Sequence, residues 1–415
     1  MADEMTAPVP VGFSNLPGEI QDQIMRGIPV VDLSNVMLVS RTFHRQARPY
    51  LYESVHYIQR EHRELQLPFM STEHGAIWFG NFDFTKSARI VRPGKFIRMM
   101  EEDLSLRYRV SELSFSAYDS CDKEVMKDLM TCLELLRPQF LHLNLAYCQM
   151  KLALSNTVTS LDIKYPTERA LATWQDTEPE ENFLREEIYA IFTIPTLQQL
   201  TLRGARRWNA FSRILTYPQY AETSNIVALS LPDTVPMDVD LEEILTWPKA
   251  LKWYFHQSLE GHRHHFQFGG GGHIASPEYF LKSLATQRDS LQELIYNHGE
   301  DCCGDDESLF DPVLMREFVS LKYLSVPRKC FVDAEGMPNP LYTALPPKLE
   351  KFKMDQDARL GNLEYEARLK YWLQDILDHK TTWFPSLKYI IIRESGFATK
   401  HADNFPGTTE VLERM

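Results

Sequence analysis

The fold of this chain can be inferred from one hexapeptide, Phe140-Leu141-His142-Leu143-Asn144-Leu145. Apolar residues alternate in it with a period of two, which predicts a short strand with one buried face. The same spacing of three apolar residues, with two residues and then one between them, recurs between positions 110 and 392. The central apolar residues of these copies are Leu113, Leu143, Leu161, Leu200, Leu229, Leu294, Leu324, Phe352 and Ile390, and a looser copy covers 251–255.

Helical stretches separate these predicted strands. We place them at 122–136, 182–192, 206–217, 238–247, 276–288 and 363–379. Prolines at 138, 195, 248 and 385 stand just before the next strand, where they disfavour further helix. Because strands joined through helices run parallel, the sequence predicts an α/β fold with a parallel sheet and helices packed on it.

The repeat resembles the leucine-rich repeat. The fullest match is Phe140-x-x-Leu143-x-Leu145-x-x-Cys148-x-Met150. Most other copies lack the Asn or Cys of that pattern, and their spacing is uneven. The resemblance therefore implies an irregular, degenerate solenoid over 109–400, with parallel strands on its concave face and helices on its convex face.

A short helical segment precedes this array. Isoleucines recur at every fourth position from 20 to 28, which predicts one apolar stripe along a helix. Gly27 and Pro29 are expected to end that helix. Asp32 is the predicted N-cap of a second helix, and a third is expected to begin near Ser40 and to end at Pro49. The sequence thus predicts a three-helix unit over 13–55, too small to bury a core alone.

The order and spacing of sixteen residues in this unit match a known motif. They are Leu16, Pro17, Glu19, Ile20, Ile24, Asp32, Leu33, Val36, Leu38, Val39, Ser40, Arg41, Phe43, Ala47, Leu51 and Tyr52. Together they resemble the F-box, an all-α three-helix motif, and the whole chain resembles fungal-type F-box proteins with degenerate leucine-rich repeats. Phe43 departs from the motif, because many members of the family have Trp there. The resemblance implies binding to the Skp adaptor of Skp–cullin–F-box (SCF) ubiquitin ligases and, through that adaptor, to cullin.

Two roles are expected within the helical unit. We assign adaptor binding to six residues: Leu16, Pro17, Ile20, Ile24, Leu33 and Leu38. Val36, Val39 and Phe43 are expected to pack inside the unit. Each Leu or Ile that becomes fully buried on binding contributes on the order of 1.5–3 kcal/mol, so a few anchors suffice.

The residues between the apolar positions of each strand are the candidates for binding a protein target. They are expected to face outward on the concave side. Those that we assign to target binding are Asn144, Asp162, Lys164, Arg203, Trp253, Tyr323, Lys353, Tyr389 and Arg393. Trp, Tyr and Arg dominate binding hot spots. The alternative is that these side chains form an ordinary solvated surface.

Composition restricts the partners and the compartment. A formal net charge of −13 argues against nucleic acid or an anionic membrane as the main partner. Residues 1–12 are expected to be disordered; Asp3 and Glu4 stand where a signal peptide would be basic, and no apolar run is long enough to span a membrane. The six cysteines form no C-x-x-C pair. We expect a protein of the cytoplasm, the nucleus or both, with reduced thiols.

The remaining segments carry no recognisable chemistry. Residues 56–108 are expected to be a linker or cap, and 401–415 a tail. Insertions at 176–181, 261–273, 299–307 and 338–347 either frame the target site or are tolerated extensions. The insertion residues His262, His264, His265, His273, His298, Cys302 and Cys303 lack the spacing of a zinc site. Gly269–Gly272 lacks the continuation of a phosphate-binding loop. We therefore expect no metal, no cofactor and no catalysis.

The sequence supports three functional hypotheses in descending order. The first is a non-catalytic, substrate-recognition subunit of an SCF-type ubiquitin ligase, which binds an unknown protein substrate through its repeats. The second is an F-box scaffold or binding protein that acts outside a ligase. The third is an enzyme whose active site lies in the insertions.

Overall fold

The computed structural model describes fourteen segments of the chain. They are residues 12–58, 89–91, 93–117, 123–145, 157–164, 189–203, 220–234, 238–258, 277–297, 310–327, 330–331, 344–357, 363–395 and 411–414. By compactness the chain divides into two units, Met1–Asn144 and Leu145–Met415. The fold prediction is confirmed: N-terminal helices precede parallel strands interspersed with helices in a repeat-like α/β arrangement.

Three helices begin the first unit. A single 3₁₀ turn, Phe13–Asn15, precedes α1 (Gly18–Gly27), α2 (Val30–Val39) and α3 (Arg41–Leu51). The prediction for Ser40 is confirmed, because its hydroxyl caps α3 by accepting the backbone N–H of Phe43 at 3.1 Å.

Two of the predicted helix ends are wrong. Asp32 is not the N-cap of α2, because the helix already begins after Pro29, whose carbonyl accepts the Asp32 N–H at 2.9 Å. Asp32 lies instead in the first turn, where its charge favours the helix dipole. Pro49 does not end α3, which continues to Leu51. Burial of Ala47 and Leu51 on the same helix stabilises this last turn despite the lost backbone hydrogen bond.

Polar contacts join α1 to α3. The side chain of Gln46 donates to that of Gln21 at 2.6 Å, and the Tyr50 hydroxyl donates to the Asp22 carboxylate. Arg26 Nε also donates to Asp22, at 2.9 Å. The hydrogen bond from Tyr50, followed by that from Arg26, holds the pKa of Asp22 below its ordinary value. The two helices are therefore held at a defined separation by side chains that the apolar pattern does not include.

The first unit also contains the first strands. Its further elements are β1 (Ser54–Ile58), β2 (Arg89–Val91), α4 (Pro93–Glu102), α5 (Leu104–Arg107), β3 (Glu112–Ala117), α6 (Lys123–Leu136) and β4 (Phe140–Leu145). Their order in the sheet is β2-β1-β3-β4, and β1 runs parallel to both β2 and β3. Val55, Leu113 and Leu143 are buried in its core. The chain between the helices and the predicted array thus already contributes strands to the sheet.

The second unit continues the alternation. Its elements are β5 (Ser160–Lys164), β6 (Gln199–Arg203), β7 (Ala228–Thr234), α7 (Asp238–Thr246), β8 (Trp253–Ser258), α8 (Pro277–Leu284), β9 (Glu293–Asn297), α9 (Pro312–Arg316), β10 (Tyr323–Pro327), β11 (Lys351–Asp357), α10 (Leu363–Trp383), β12 (Tyr389–Ser395) and β13 (Val411–Arg414). Strand order follows the chain. The strands β5 to β12 pair in parallel, and β13 pairs antiparallel to β12. Each predicted strand is present, whereas β13 lies in residues that we had expected to form a tail.

Aromatic side chains fill the core between the strands and the helices of the second unit. This aromatic ladder consists of Tyr254, His256, Phe280, Tyr296, Phe310, Phe331 and Phe352. Successive rings lie close, with centroids 5.9 Å apart for Tyr254–Phe280, 4.0 Å for Phe280–Tyr296 and 5.6 Å for Phe310–Phe331. Because each repeat supplies one or two rings, the ladder links neighbouring repeats.

Candidate functional site

Exposed apolar side chains on the N-terminal helices form the first candidate surface. Ile20 and Ile24, one turn apart on α1, are each 40% exposed. Pro17, just before α1, is exposed, and Leu16 is half-buried. Two residues at the end of α2 are far more open: Leu38 is 84% exposed and Val39 70%. Large apolar residues so exposed on a small helical unit are typical of a surface that binds a partner.

The structure corrects two assignments in this unit. Leu33, which we had assigned to adaptor binding, is only 1% exposed and packs in the core of the unit. Val39, which we had assigned to internal packing, is exposed. The physical reason is the orientation of α2: the helix begins at Val30 and packs on α3. Leu33 lies on its buried side, whereas Leu38 and Val39 lie on its exposed side. Val36 and Phe43 are half-buried, and the ring of Phe43 packs at a tilt against that of Phe13 with centroids 4.9 Å apart.

The second candidate surface is the face of the strands that lies opposite the aromatic ladder. Tyr254 faces the ladder, so its neighbours Trp253 and Phe255 face the other side, where their rings stack at 6.2 Å. We call this side the second face of the sheet. Of the nine residues assigned to target binding, the side chains of Asn144, Lys164 and Arg393 lie outside the described residues, although their backbones lie in β4, β5 and β12.

Burial contradicts part of the expectation that these side chains face solvent. Trp253 is 1% exposed, and Asp162 and Lys353 are also buried. Parallel sheets are normally covered on both faces, and a solvated second face was therefore the wrong expectation at these three positions. Arg203 and Tyr323 are half-buried, and Tyr389 is exposed.

An ion pair joins two of the assigned residues. Arg203 Nε lies 3.0 Å from Asp162 Oδ1 and 3.1 Å from Oδ2, between the neighbouring strands β5 and β6. Because Asp162 is buried and Arg203 is largely so, the pair is held out of water and is a stronger constraint than a surface ion pair. We interpret it as a fixed feature of the second face.

Exposure on the second face depends on the position along the strand. The first residues of β9 to β12 are Glu293, Tyr323, Lys351 and Tyr389, and all of them are at least partly exposed. Two residues further on, the row Ile295, Ser325, Lys353 and Ile391 is buried. This face is therefore accessible where these strands begin and closed two residues further on. The alternating pattern could not show this, because both rows occupy equivalent positions in it.

The described residues contain no cluster of metal ligands. No group of three His, Cys, Asp or Glu residues there is arranged to hold a metal ion. The His and Cys residues of the insertions, with residues 338–343, lie outside the described segments. Cys132 is buried, and this burial raises the pKa of its thiol to about 12, which keeps it protonated at neutral pH. Among the described helices, none is both long and apolar enough to cross a membrane.

Comparison with known proteins assigns the chain to no group. No protein-family model matches it, and no curated protein matches its sequence.

Proposed function

We propose that this chain is the substrate-recognition subunit of an SCF-type ubiquitin ligase. The observation that carries the proposal is the exposure of Leu38, Val39, Ile20 and Ile24 on a three-helix unit whose sequence resembles the F-box. These four side chains would bind a Skp-type adaptor, with Leu16 and Pro17 beside them.

The proposed mechanism is proximity. The helical unit tethers the chain to the adaptor and cullin, and the second face of the sheet holds a protein target near the subunits that transfer ubiquitin. Tethering raises the effective concentration of the target at the transfer site, so no catalytic group is needed in this chain. The exposed Tyr389 and the half-buried Tyr323 are side chains of a type that anchors protein interfaces.

Affinity purification of the tagged full chain from cells tests the proposal. Recovery of both the adaptor and cullin is expected. Recovery of the adaptor without cullin would instead support a scaffold that acts outside a ligase, and recovery of neither would overturn both hypotheses. The Leu38→Asp, Val39→Asp variant should lose the adaptor and cullin together. Val313→Asp is the matched control, because Val313 is a similarly exposed (72%) apolar residue on α9.

A further inference from the structure

The residues that immediately precede β8 to β12 form one continuous row. They are Lys252, Gln292, Lys322, Glu350 and Lys388. The backbone N–H of each one donates to the carbonyl of the one before it, at 2.8 Å in every case from Gln292 to Lys388. Parallel strands therefore begin together at one edge of the sheet. We call the part formed by Lys322, Tyr323, Glu350, Lys351, Lys388 and Tyr389 the lysine–tyrosine edge.

The lysine–tyrosine edge is positively charged in a protein of net charge −13. Among these six residues the carboxylate is Glu350, which accepts a hydrogen bond from Lys388 Nζ at 2.6 Å. A second carboxylate, Glu293 of the neighbouring strand β9, lies in register with Tyr323. The contact with Lys388 first, and the charge of Lys322 in addition, lower the pKa of Glu350. Lys351 Nζ lies instead 5.0 Å from the centre of the Tyr323 ring, and no carboxylate of the described residues forms an ion pair with it. Two ammonium groups, those of Lys388 and Lys322, thus act on Glu350, whereas that of Lys351 lies beside an aromatic ring.

The edge is also accessible. Lys322, Lys388 and Tyr389 are exposed, whereas Tyr323 and Lys351 are half-buried. On the second face, Tyr323, Lys351 and Tyr389 are accessible at the start of β10 to β12, whereas the next row along these strands is buried. The exposed Lys322 and Lys388 immediately precede two of these three residues in the chain. Two tyrosine rings alternate with the lysines, and an aromatic surface beside fixed cations suits an extended segment that carries carboxylates.

We propose that the lysine–tyrosine edge binds a carboxylate-rich, extended segment of a protein. This inference rests on the proposed function only for the statement that the bound protein is the ubiquitination target. The three ammonium groups supply charge complementarity, and the tyrosine rings supply apolar contact area. Nucleic acid is disfavoured as the occupant because three lysines neutralise few phosphates.

Fluorescence anisotropy with the full chain tests the proposal. The probes are a fluorescein-labelled decaglutamate peptide, a neutral Gly/Ser peptide of equal length and a thymidine decanucleotide. The edge variant is Lys322→Gln, Lys351→Gln, Lys388→Gln. Its matched control is Lys95→Gln, Lys127→Gln, Lys282→Gln, which removes the same charge from exposed lysines on helices.

We expect decaglutamate to bind the wild type, and the edge variant to bind it at least about tenfold more weakly. Binding should also weaken between about 50 and about 300 mM NaCl because salt screens exposed charges.

Three results would overturn the proposal. They are decaglutamate binding no tighter than that of the neutral peptide, equal losses in the edge and control variants, and tighter binding of the decanucleotide than of decaglutamate. Adaptor capture is measured on the wild type and the edge variant as well, so that the proposed peptide site and the proposed ligase role can fail independently. If the wild type binds decaglutamate but no adaptor, the ligase role fails and the edge is still an acidic-peptide site; the reverse result overturns only the edge.

Discussion

The side-chain oxygen of Gln287 accepts the backbone N–H of Leu251 at 2.8 Å, which joins the helical layer of the second unit to the segment that enters β8. The amide nitrogen of the same side chain donates to the carbonyls of Leu245 at 2.8 Å and of Pro248 at 2.9 Å. Gln287 is buried, so its amide replaces water for three backbone groups at the turn between α7 and β8.

Replacing Gln287 with Ala should therefore be costly. The substitution leaves the Leu251 N–H and the carbonyls of Leu245 and Pro248 without this partner. Each buried polar group that loses its hydrogen bond costs about 1–3 kcal/mol of stability. We expect the free energy of unfolding, measured by urea titration, to fall by about 2–5 kcal/mol. Gln198→Ala, at an exposed position before β6, should change it by less than about 0.5 kcal/mol. Equal effects of the two substitutions would contradict the role of Gln287.

His256 predicts how stability depends on pH. It is buried in the aromatic ladder against Phe280 and Tyr296, and burial lowers its pKa from the ordinary value to about 3. Below about pH 6.5, His256 binds a proton in the unfolded chain but stays neutral in the folded chain. The stability associated with neutral His256 is therefore complete above that pH and is lost as the pH falls, by about 1.4 kcal/mol per unit.

His256→Phe should remove this part of the pH dependence. The loss of unfolding free energy between about pH 6.5 and pH 5 should be about 2 kcal/mol smaller in the variant than in the wild type. Urea titrations at the two pH values give the comparison. His44→Phe, at an exposed position on α3, should keep the wild-type dependence. An equal loss of unfolding free energy on acidification in the variant and the wild type would contradict this role of His256.

The corrected assignments on α2 can be tested by stability alone. Leu33→Ala removes a fully buried side chain and should lower the free energy of unfolding by about 2–5 kcal/mol. Leu38→Ala, five residues later on the same helix, should change it by less than about 0.5 kcal/mol because Leu38 is exposed. If Leu38→Ala were as destabilising as Leu33→Ala, the orientation of α2 described above would be wrong.

Deletion of residues 411–415 tests β13. In the intact chain β13 pairs antiparallel with β12 and so covers the edge that carries Ile390, Ile391 and Ile392. Without it, an apolar strand with unpaired backbone groups is left at the edge of the sheet, which favours association between chains. We expect faster aggregation of the truncated chain by light scattering. An unchanged aggregation rate would mean that β13 gives the edge no protection.

The periodic pattern was sufficient to predict the strands, because the alternation of apolar residues reflects which side chains of a strand are buried. A residue such as Leu324 is apolar, has apolar neighbours two positions away and is fully buried, and the strand follows from that alternation alone. The helix N-cap at Ser40 is equally local. Leucines 33 and 38 show where this reasoning ends, since both are apolar helix residues and only the packing of α2 against α3 distinguishes core from surface.

Features set by distant residues could not be predicted. The sequence around Gln287 does not reveal its role, because its partner Leu251 lies 36 residues away. Trp253 was wrongly expected to be exposed, because the sequence of a strand does not show what covers its second face. The lysine–tyrosine edge needed the register of the strands as well, because only the register places Lys322, Glu350 and Lys388 in one row.

The proposed role as an adaptor-binding subunit can be tested by direct binding of a purified Skp-type adaptor to the purified full chain. Isothermal titration calorimetry should show one adaptor bound per wild-type chain, and the same for Val313→Asp. The Leu38→Asp, Val39→Asp variant should bind at least about 100-fold more weakly, because two apolar anchors are replaced by charges. Its far-ultraviolet circular dichroism should be that of the wild type, since both positions are exposed. No binding by the wild type, or undiminished binding by the folded double variant, would contradict the account.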